Sequence, residues 1–368
     1  MIDELRRALA VAPVMGRVHP LLPLCLPPEA EVAVAARSVA LAMDALEAGP
    51  AGPVLITQPD RAYEDRFLTL NLTELPDAEL INAGLPGRLP AARTLLTHHG
   101  VADRIASDAQ TRGYRTVALL LVDGLSYDDV AHWPEGAEPV FIDGPSITFF
   151  RRPDRTIACD VGFPAIVGRP PLAQRLGTVG LGRARGYAYW ERGSNDVAAV
   201  LFEGMPLARV SSVTEALALL EGEPLDGLYI QMVRIGTDGL AHGRREVSRR
   251  EVEATVAAVR ADLHRLVELM ARRGAGGAVY LTSDHGMLWK QEHALRPAGG
   301  AAAASPRYGV GRLPDDASAT CFEAGPDTFS LYHYPYLGAT LRANNSGVHG
   351  GLSYWESIVP LVRIEVNP

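Results

Sequence analysis

Cysteine is scarce. The 368 residues hold three, Cys25, Cys159 and Cys321, far apart, odd in number and never in a CxxC pair. That excludes a disulfide framework as the source of stability. A long apolar run is also missing. Residues 1–38 contain apolar patches, but Asp3, Glu4, Arg6 and Arg7 precede them and prolines interrupt them. No stretch reaches the roughly 18–20 uninterrupted apolar residues of a membrane span, and no signal-cleavage pattern follows, so a cytoplasmic protein away from membranes is expected. Positive charge is in deficit: 35 Lys and Arg stand against 43 Asp and Glu, for a net charge of −8, and the basic residues are scattered. Duplex DNA demands clustered Lys and Arg against its phosphates and is not an expected partner. Internal repeats of solenoid period are absent as well.

What is present suits a large α/β protein. The composition is 47% hydrophobic and 21% charged, in a chain long enough for a large core with insertions. Residues 1–105 read as an N-terminal accessory region without assignable chemistry: AEVAVAARSVALAMDALEA has helical spacing, while PVLIT and FLTLNL resemble short strands. From Tyr114 onward, apolar runs of strand length alternate with helical patterns. The runs are TVALLLVDG, the region around SITFF, VAAVLF, DGLYIQMV, AVYLTSDHG and SIVPLVRIEV. Such a rhythm predicts a mostly parallel central sheet flanked by helices over residues 106–368. Between the fourth and fifth runs, Ser248 and Glu251 form a capping box. Val252, Val256, Val259, Leu263, Leu266, Val267 and Met270 then recur at helical spacing before Gly274. Residues from about 290 to 345 break the rhythm and are expected to form an inserted lid, where Tyr332, His333, Tyr334 and Tyr336 are candidates for stacking on a ligand.

Three apolar runs lead into aspartates: Asp123 after ALLLV, Asp238 shortly after YIQMV, and Asp284 after AVYLTS. Ligands of open α/β sheets bind at the carboxyl ends of strands, so the three carboxylates are expected on one face. Histidines accompany them. His242 lies four residues after Asp238, one helical turn on; His285 adjoins Asp284; and His349 precedes two glycines and the last strand. Carboxylates gathered in one crevice repel each other unless cations intervene. Two divalent metals meet that need, and mixed carboxylate and imidazole ligands suit Zn²⁺ first and Mn²⁺ second.

VDGLSYDD, GTDGLAHG, TSDHG and GVHGG, in this order, resemble the alkaline phosphatase superfamily. HGGLSYWESIVPLV is most similar to its PglZ-type and nucleotide phosphodiesterase-like branches. The resemblance covers about residues 115–368. It implies one metal held by Asp123, Asp284 and His285 and another by Asp238, His242 and His349, with hydrolysis of a phosphate monoester or diester in a small phosphorylated substrate or nucleotide. It equally allows a metal-bound regulatory or binding module with little turnover, since PglZ-type relatives act within phage-defence systems. The sequence gives no oligomeric state.

The superfamily implies a Thr or Ser nucleophile at a helix N-terminus, activated by metal coordination. Counting back from Gly168 lands at Cys159, which departs from that pattern. A thiolate there, beside two cations, would be an alternative nucleophile or a further ligand, and a small buried hydrophobe is the plainer role. The Cys-x-Pro-x-Arg pattern of sulfatases is absent, so sulfate esters are not expected. Thr156 lies in the same segment, and Thr148 ends PSIT, which matches a PglZ-type Pro-Ser-x-Thr; the three candidates stay open. Arg151, Arg152 and Arg155 are candidate phosphate clamps, with a solvated charged face as the alternative.

Overall fold

The computed structural model describes residues 96–367 apart from 190–194, 244–245, 299–302, 304, 314–317 and 343, together with 2–11, 14–18, 34–36, 54–56 and 68–72. The chain divides into two compact units, Met1–Thr94 and Leu95–Pro368. In the first, four short parallel strands line up in the order Val34–Ala36, Val54–Ile56, Val14–Val18, Leu68–Leu72. Two of them fall within PVLIT and FLTLNL. Val34–Ala36 was expected to be helical and is a strand, because Val34 pairs with Val54 and Ala36 with Ile56; tertiary pairing overrides a weak periodicity. The rest of that stretch lies outside the described residues.

The second unit is built on eight strands: β1 (Leu96–Thr97), β2 (Thr116–Asp123), β3 (Glu138–Phe141), β4 (Arg183–Tyr189), β5 (Leu207–Arg209), β6 (Leu228–Ile235), β7 (Gly277–Ser283) and β8 (Ile358–Val366). They lie in the order β1-β3-β8-β7-β2-β6-β4-β5. All neighbouring pairs are parallel except those of β8, which runs antiparallel to both β3 and β7. The sheet is therefore mostly parallel and flanked by helices.

Why β2 reads as an unbroken apolar run is visible in its two faces. Ala118, Leu120 and Val122 enter one core with Val259, Leu263 and Leu266, whereas Val117, Leu119 and Leu121 enter the other with Ile105, Phe163 and Ile166. Both faces are dry, so period-two alternation has no polar half to show. Each fully buried Leu or Val contributes about 1.5–3 kcal/mol relative to exposure. The helix Arg249–Arg272 covers the first face. Its capping box is formed, with Ser248 N donating to Glu251 Oε2 at 2.9 Å, and Val252, Val256, Val259, Leu263, Leu266, Leu269 and Met270 are buried.

Two expected strands differ, and one strand is unexpected. VAAVLF is instead the helix Asn195–Leu201, which buries Val197, Ala198 and Leu201 on one side; a short apolar run does not separate the two periods by itself. Residues 146–150 are not a strand. β3 takes the place between β1 and β8, and this segment crosses over the carboxyl end of the sheet, where Thr148 meets Asp123. RARGYAY is strand β4, although the sequence reading placed no strand there. Residues 290–345 carry regular structure of their own, including a three-stranded antiparallel sheet of Tyr308–Val310, Asp327–Tyr332 and Ala319–Ala324. Among the described residues, no helix is long and apolar enough to cross a membrane.

Candidate metal centre

The centre strands β7, β2 and β6 are adjacent and parallel, and their register aligns their carboxyl ends: Asp123 pairs with Ile235, and Ser283 with Val122. Asp284 therefore emerges beside Asp123, and the turn after β6 delivers Asp238. Backbone bonds stitch these turns together. Gly236 N donates to Asp123 O at 3.0 Å, Thr237 N to Gly124 O at 2.9 Å, and Leu125 N to His285 O at 2.8 Å. Gly124 sits at φ +80°, and a Cβ there would lie 2.8 Å from Asp238 N and 3.3 Å from His285 Cε1. Only glycine lets the three turns approach so closely.

Two trios result. Asp238, His242 and His349 form one, and Asp123, Asp284 and His285 the other, the ligand atoms within each trio lying within 4.8 Å of one another. In the first, Asp238 Oδ1 stands 3.1 Å from His242 Nε2 and 3.3 Å from His349 Nε2, and the two nitrogens are 3.5 Å apart. In the second, His285 Nε2 is 3.4 Å from Asp123 Oδ1 and 3.6 Å from Asp284 Oδ2. Ligand atoms about 2.0–2.2 Å from a tetrahedral zinc stand roughly 3.3–3.6 Å apart, which is close to these edges.

Two details show that the trios suit cations. Asp238 Oδ1 and Asp284 Oδ2 are buried without a hydrogen-bond partner in the geometry of the fold, and imidazole nitrogens stand 3.1 and 3.3 Å from the first and 3.6 Å from the second. His285 Nδ1 meets Gly286 O and His349 Nδ1 meets Ser146 O, each at 2.9 Å. Carbonyls only accept, so each Nδ1 donates, which turns each Nε2 toward the carboxylates as the ring atom left to ligate a metal.

The electrostatics reflect the same crowding. Burial, reinforced by Asp123, pushes the Asp284 carboxyl up to about 7, against the opposing pull of His285. Burial would lower His285, but Asp284, Asp123 and Asp238 together raise it to about 10. Burial would likewise raise Asp238, yet the imidazoles of His242 and His349 hold it well below the usual carboxylate range. Exposure distinguishes the trios. The side chains of Asp284 and His285 are fully buried and Asp123 is 8% exposed, whereas His349, Asp238 and His242 are 16%, 17% and 32% exposed. The Asp238, His242 and His349 trio is therefore the one open to solvent.

Of the three nucleophile candidates, the structure brings Thr148 to the trios. Its Oγ1 donates to Asp123 Oδ1 at 3.2 Å and lies 3.4 Å from His285 Nε2. Cys159 Sγ instead meets Arg169 Nη2 at 3.1 Å and Ile157 O at 3.8 Å. Thr156 Oγ1 donates to Asp154 Oδ1 at 2.7 Å in an exposed turn. Arg151 pairs with Asp196, and Arg152 pairs with Asp327 at 2.7 Å, both away from the trios' own contacts. Arg155 is exposed, at φ +71°, in the turn between Arg151 and Ile157.

Sequence reasoning passed over the residues that hold these ligands. Ser283 Oγ donates to Val122 O and sits 2.8 Å from His285 O, Ser146 carries the His349 bond, and Glu356 accepts from Gly351 N at 3.1 Å. Glu356 had a signal in the sequence: Ser353 and Glu356 have capping-box spacing.

No protein family matches the chain, and no curated protein does so either. Among solved structures, it is similar to murine ectonucleotide pyrophosphatase/phosphodiesterase 5, at 14% identity and TM-score 0.42 over 69% of this chain and 88% of that one. The human counterpart gives 13% identity and TM-score 0.43 over the same shares. The C-terminal periplasmic domain of EptC from Escherichia coli, in complex with zinc, gives 11% and 0.27 over 48% of this chain and 65% of that one.

Proposed function

We propose that the chain is a two-metal hydrolase of phosphate esters acting on a small phosphorylated molecule. Asp123, Asp284 and His285 would hold one ion, and Asp238, His242 and His349 the other. The observation that carries this reading is the meeting of two complete ligand trios with one hydroxyl, Thr148 Oγ1, against the deeper trio. The ligand spacing and the balance of imidazole and carboxylate favour zinc over manganese.

When bound, the ions would supply positive charge to a phosphoryl group and lower the pKa of a coordinated hydroxyl. The chain's own residues do the rest. Asp123 Oδ1 fixes the Thr148 hydroxyl, and the Thr148 carbonyl is fixed in turn by Phe163 N at 3.0 Å. Thr148 Oγ1, giving up its proton, attacks phosphorus, and the ester oxygen leaves with its electron pair and takes up a proton. Water then displaces Thr148 from phosphorus and regenerates the hydroxyl. Closely placed groups raise the effective concentration of such a nucleophile.

The test is a screen of purified, metal-analysed protein against an aryl phosphomonoester, an aryl phosphodiester and nucleotides, with Zn²⁺ or Mn²⁺ added. About two divalent ions per chain and hydrolysis of at least one class are expected. Protein with full metal occupancy and no turnover of any of them would be a binding module instead.

A further inference from the structure

We propose that the buried Arg307–Glu356 pair is the positioning element of the metal centre, coupling the docking of the 290–345 segment to ion binding by both trios. The proposal rests on the two-metal reading above. Both side chains are fully buried, and the contact is a two-point fork, Nε to Oε1 at 2.9 Å and Nη2 to Oε2 at 2.7 Å.

Glu356 touches the loops of two ligands, one from each trio. Its carbonyl accepts Gly286 N at 2.8 Å, directly after His285. Its Oε1 accepts Gly351 N at 3.1 Å, two residues after His349, while Oε2 accepts Ser353 Oγ at 2.6 Å. The same loop is held from beneath, where Ser146 Oγ donates to Gly351 O at 3.2 Å and Ser146 O meets His349 Nδ1. Turning the Glu356 side chain would therefore free Gly351 N and leave the turn, and the imidazole that precedes it, held from the Ser146 side.

Arg307 belongs to the inserted segment. Its Nη1 donates to His333 O and to Tyr336 O, and its own carbonyl accepts Tyr332 N at 2.9 Å. The guanidinium lies against Gly351, where a Cβ would stand 2.8 Å from Nη2. One side chain thus joins two backbone carbonyls of the insertion, those of His333 and Tyr336, to the residue whose carboxylate holds the His349 loop and whose main-chain carbonyl holds the His285 loop. An undocked insertion leaves Glu356 as a lone buried carboxylate, which costs free energy until it moves. By linkage, whatever binds only the set loops must favour the docked insertion equally.

The experiment is a zinc titration of the full chain against a chromophoric chelator, with fold checked by near-ultraviolet circular dichroism. Arg307→Lys keeps the charge but not the fork. Arg307→Met/Glu356→Leu removes both charges together, and so remains informative if the single variant does not fold. Zinc affinity is expected to fall about 10- to 100-fold in each folded variant, the scale of a lost outer-shell partner. Zinc should also protect the Tyr332 amide from hydrogen exchange in the wild type and not in the double variant. Wild-type affinity in a folded variant, or equal protection in both proteins, overturns the inference. A wild type that binds no zinc overturns the two-metal reading itself, and this inference with it.

Discussion

His285 and His349 stack face to face, their ring centroids 3.8 Å apart and their planes inclined by 5°. Each belongs to a different trio, so the two candidate ion sites share a wall made of the ligands themselves. His242 meets the His349 ring edge-on at 5.6 Å, which closes the more open trio. Removing one ring of the stack frees the other, and ions placed this closely are expected to depend on one another. His349→Ala and Asp284→Ala should therefore each lower the metal content below two per chain by elemental analysis. Hydrolysis should fall by more than the roughly 10- to 100-fold that an outer partner costs. Full metal content in both variants would refute the ligand assignment.

Thr148 can be separated from its rivals by what each variant spares. Thr148→Ala removes the hydroxyl beside Asp123 and His285, so turnover should drop while metal content stays. Thr148→Ser, which retains an oxygen there, should keep measurable activity. Cys159→Ser and thiol alkylation should leave the rate close to that of the wild type, since Cys159 is engaged with Arg169. A rate that collapses with Cys159→Ser would move the nucleophile to the thiol.

Parts of this centre were legible because strand ends expose their chemistry. An apolar run that stops at Asp123 or at Asp284 and His285 states both a position and a need for a partner, and the parallel register then brings the residues together. Thr148 was harder to place. Its segment resembles a strand in composition, yet it crosses the carboxyl end of the sheet, and its distance from Gly168 along the chain says nothing about the turn of residues 151–157 that folds the chain back. VAAVLF failed for a related reason, because a buried helix that shows only Val197, Ala198 and Leu201 to the core carries too few positions to declare its period. Arg307 was invisible: a single arginine in a loop-like stretch gives no sign that it will be fully buried against a carboxylate 49 positions on.

Gly162 offers a test of how Thr148 is held. It lies at φ +61°, and a methyl group on it would collide with the carbonyl oxygens of Thr148 and Ile147. Gly162→Ala adds left-handed strain to that collision, for which about 1–3 kcal/mol is expected. Urea unfolding should show a lower midpoint with an unchanged slope. The rate should fall with metal content retained, because none of the six candidate ligands is on this segment. An unaltered midpoint would mean that the Thr148 carbonyl yields freely, and that Gly162 does not set its position.

Outside the metal centre, acid should act on stability through two groups of opposite sign. Burial, reinforced by Arg307, lowers His293 to about 4 despite Glu356, and its Nε2 has no hydrogen-bond partner. The unfolded chain protonates this residue near 6.5, so stability is lost as pH falls from about 6.5 to 4. Burial raises Asp129 to about 6, against the pull of Arg249. Here the folded chain takes up the proton first, so stability is gained as pH falls from about 6 to 3.9. The two slopes oppose each other over most of one window, and each variant should expose the other. His293→Gln should flatten or reverse the acid loss measured by urea unfolding at pH 4.5, 5.5 and 6.5, whereas Asp129→Asn should steepen it. Parallel pH curves for wild type and both variants would mean that neither group changes its proton affinity on folding, and the burial argument for both would fail.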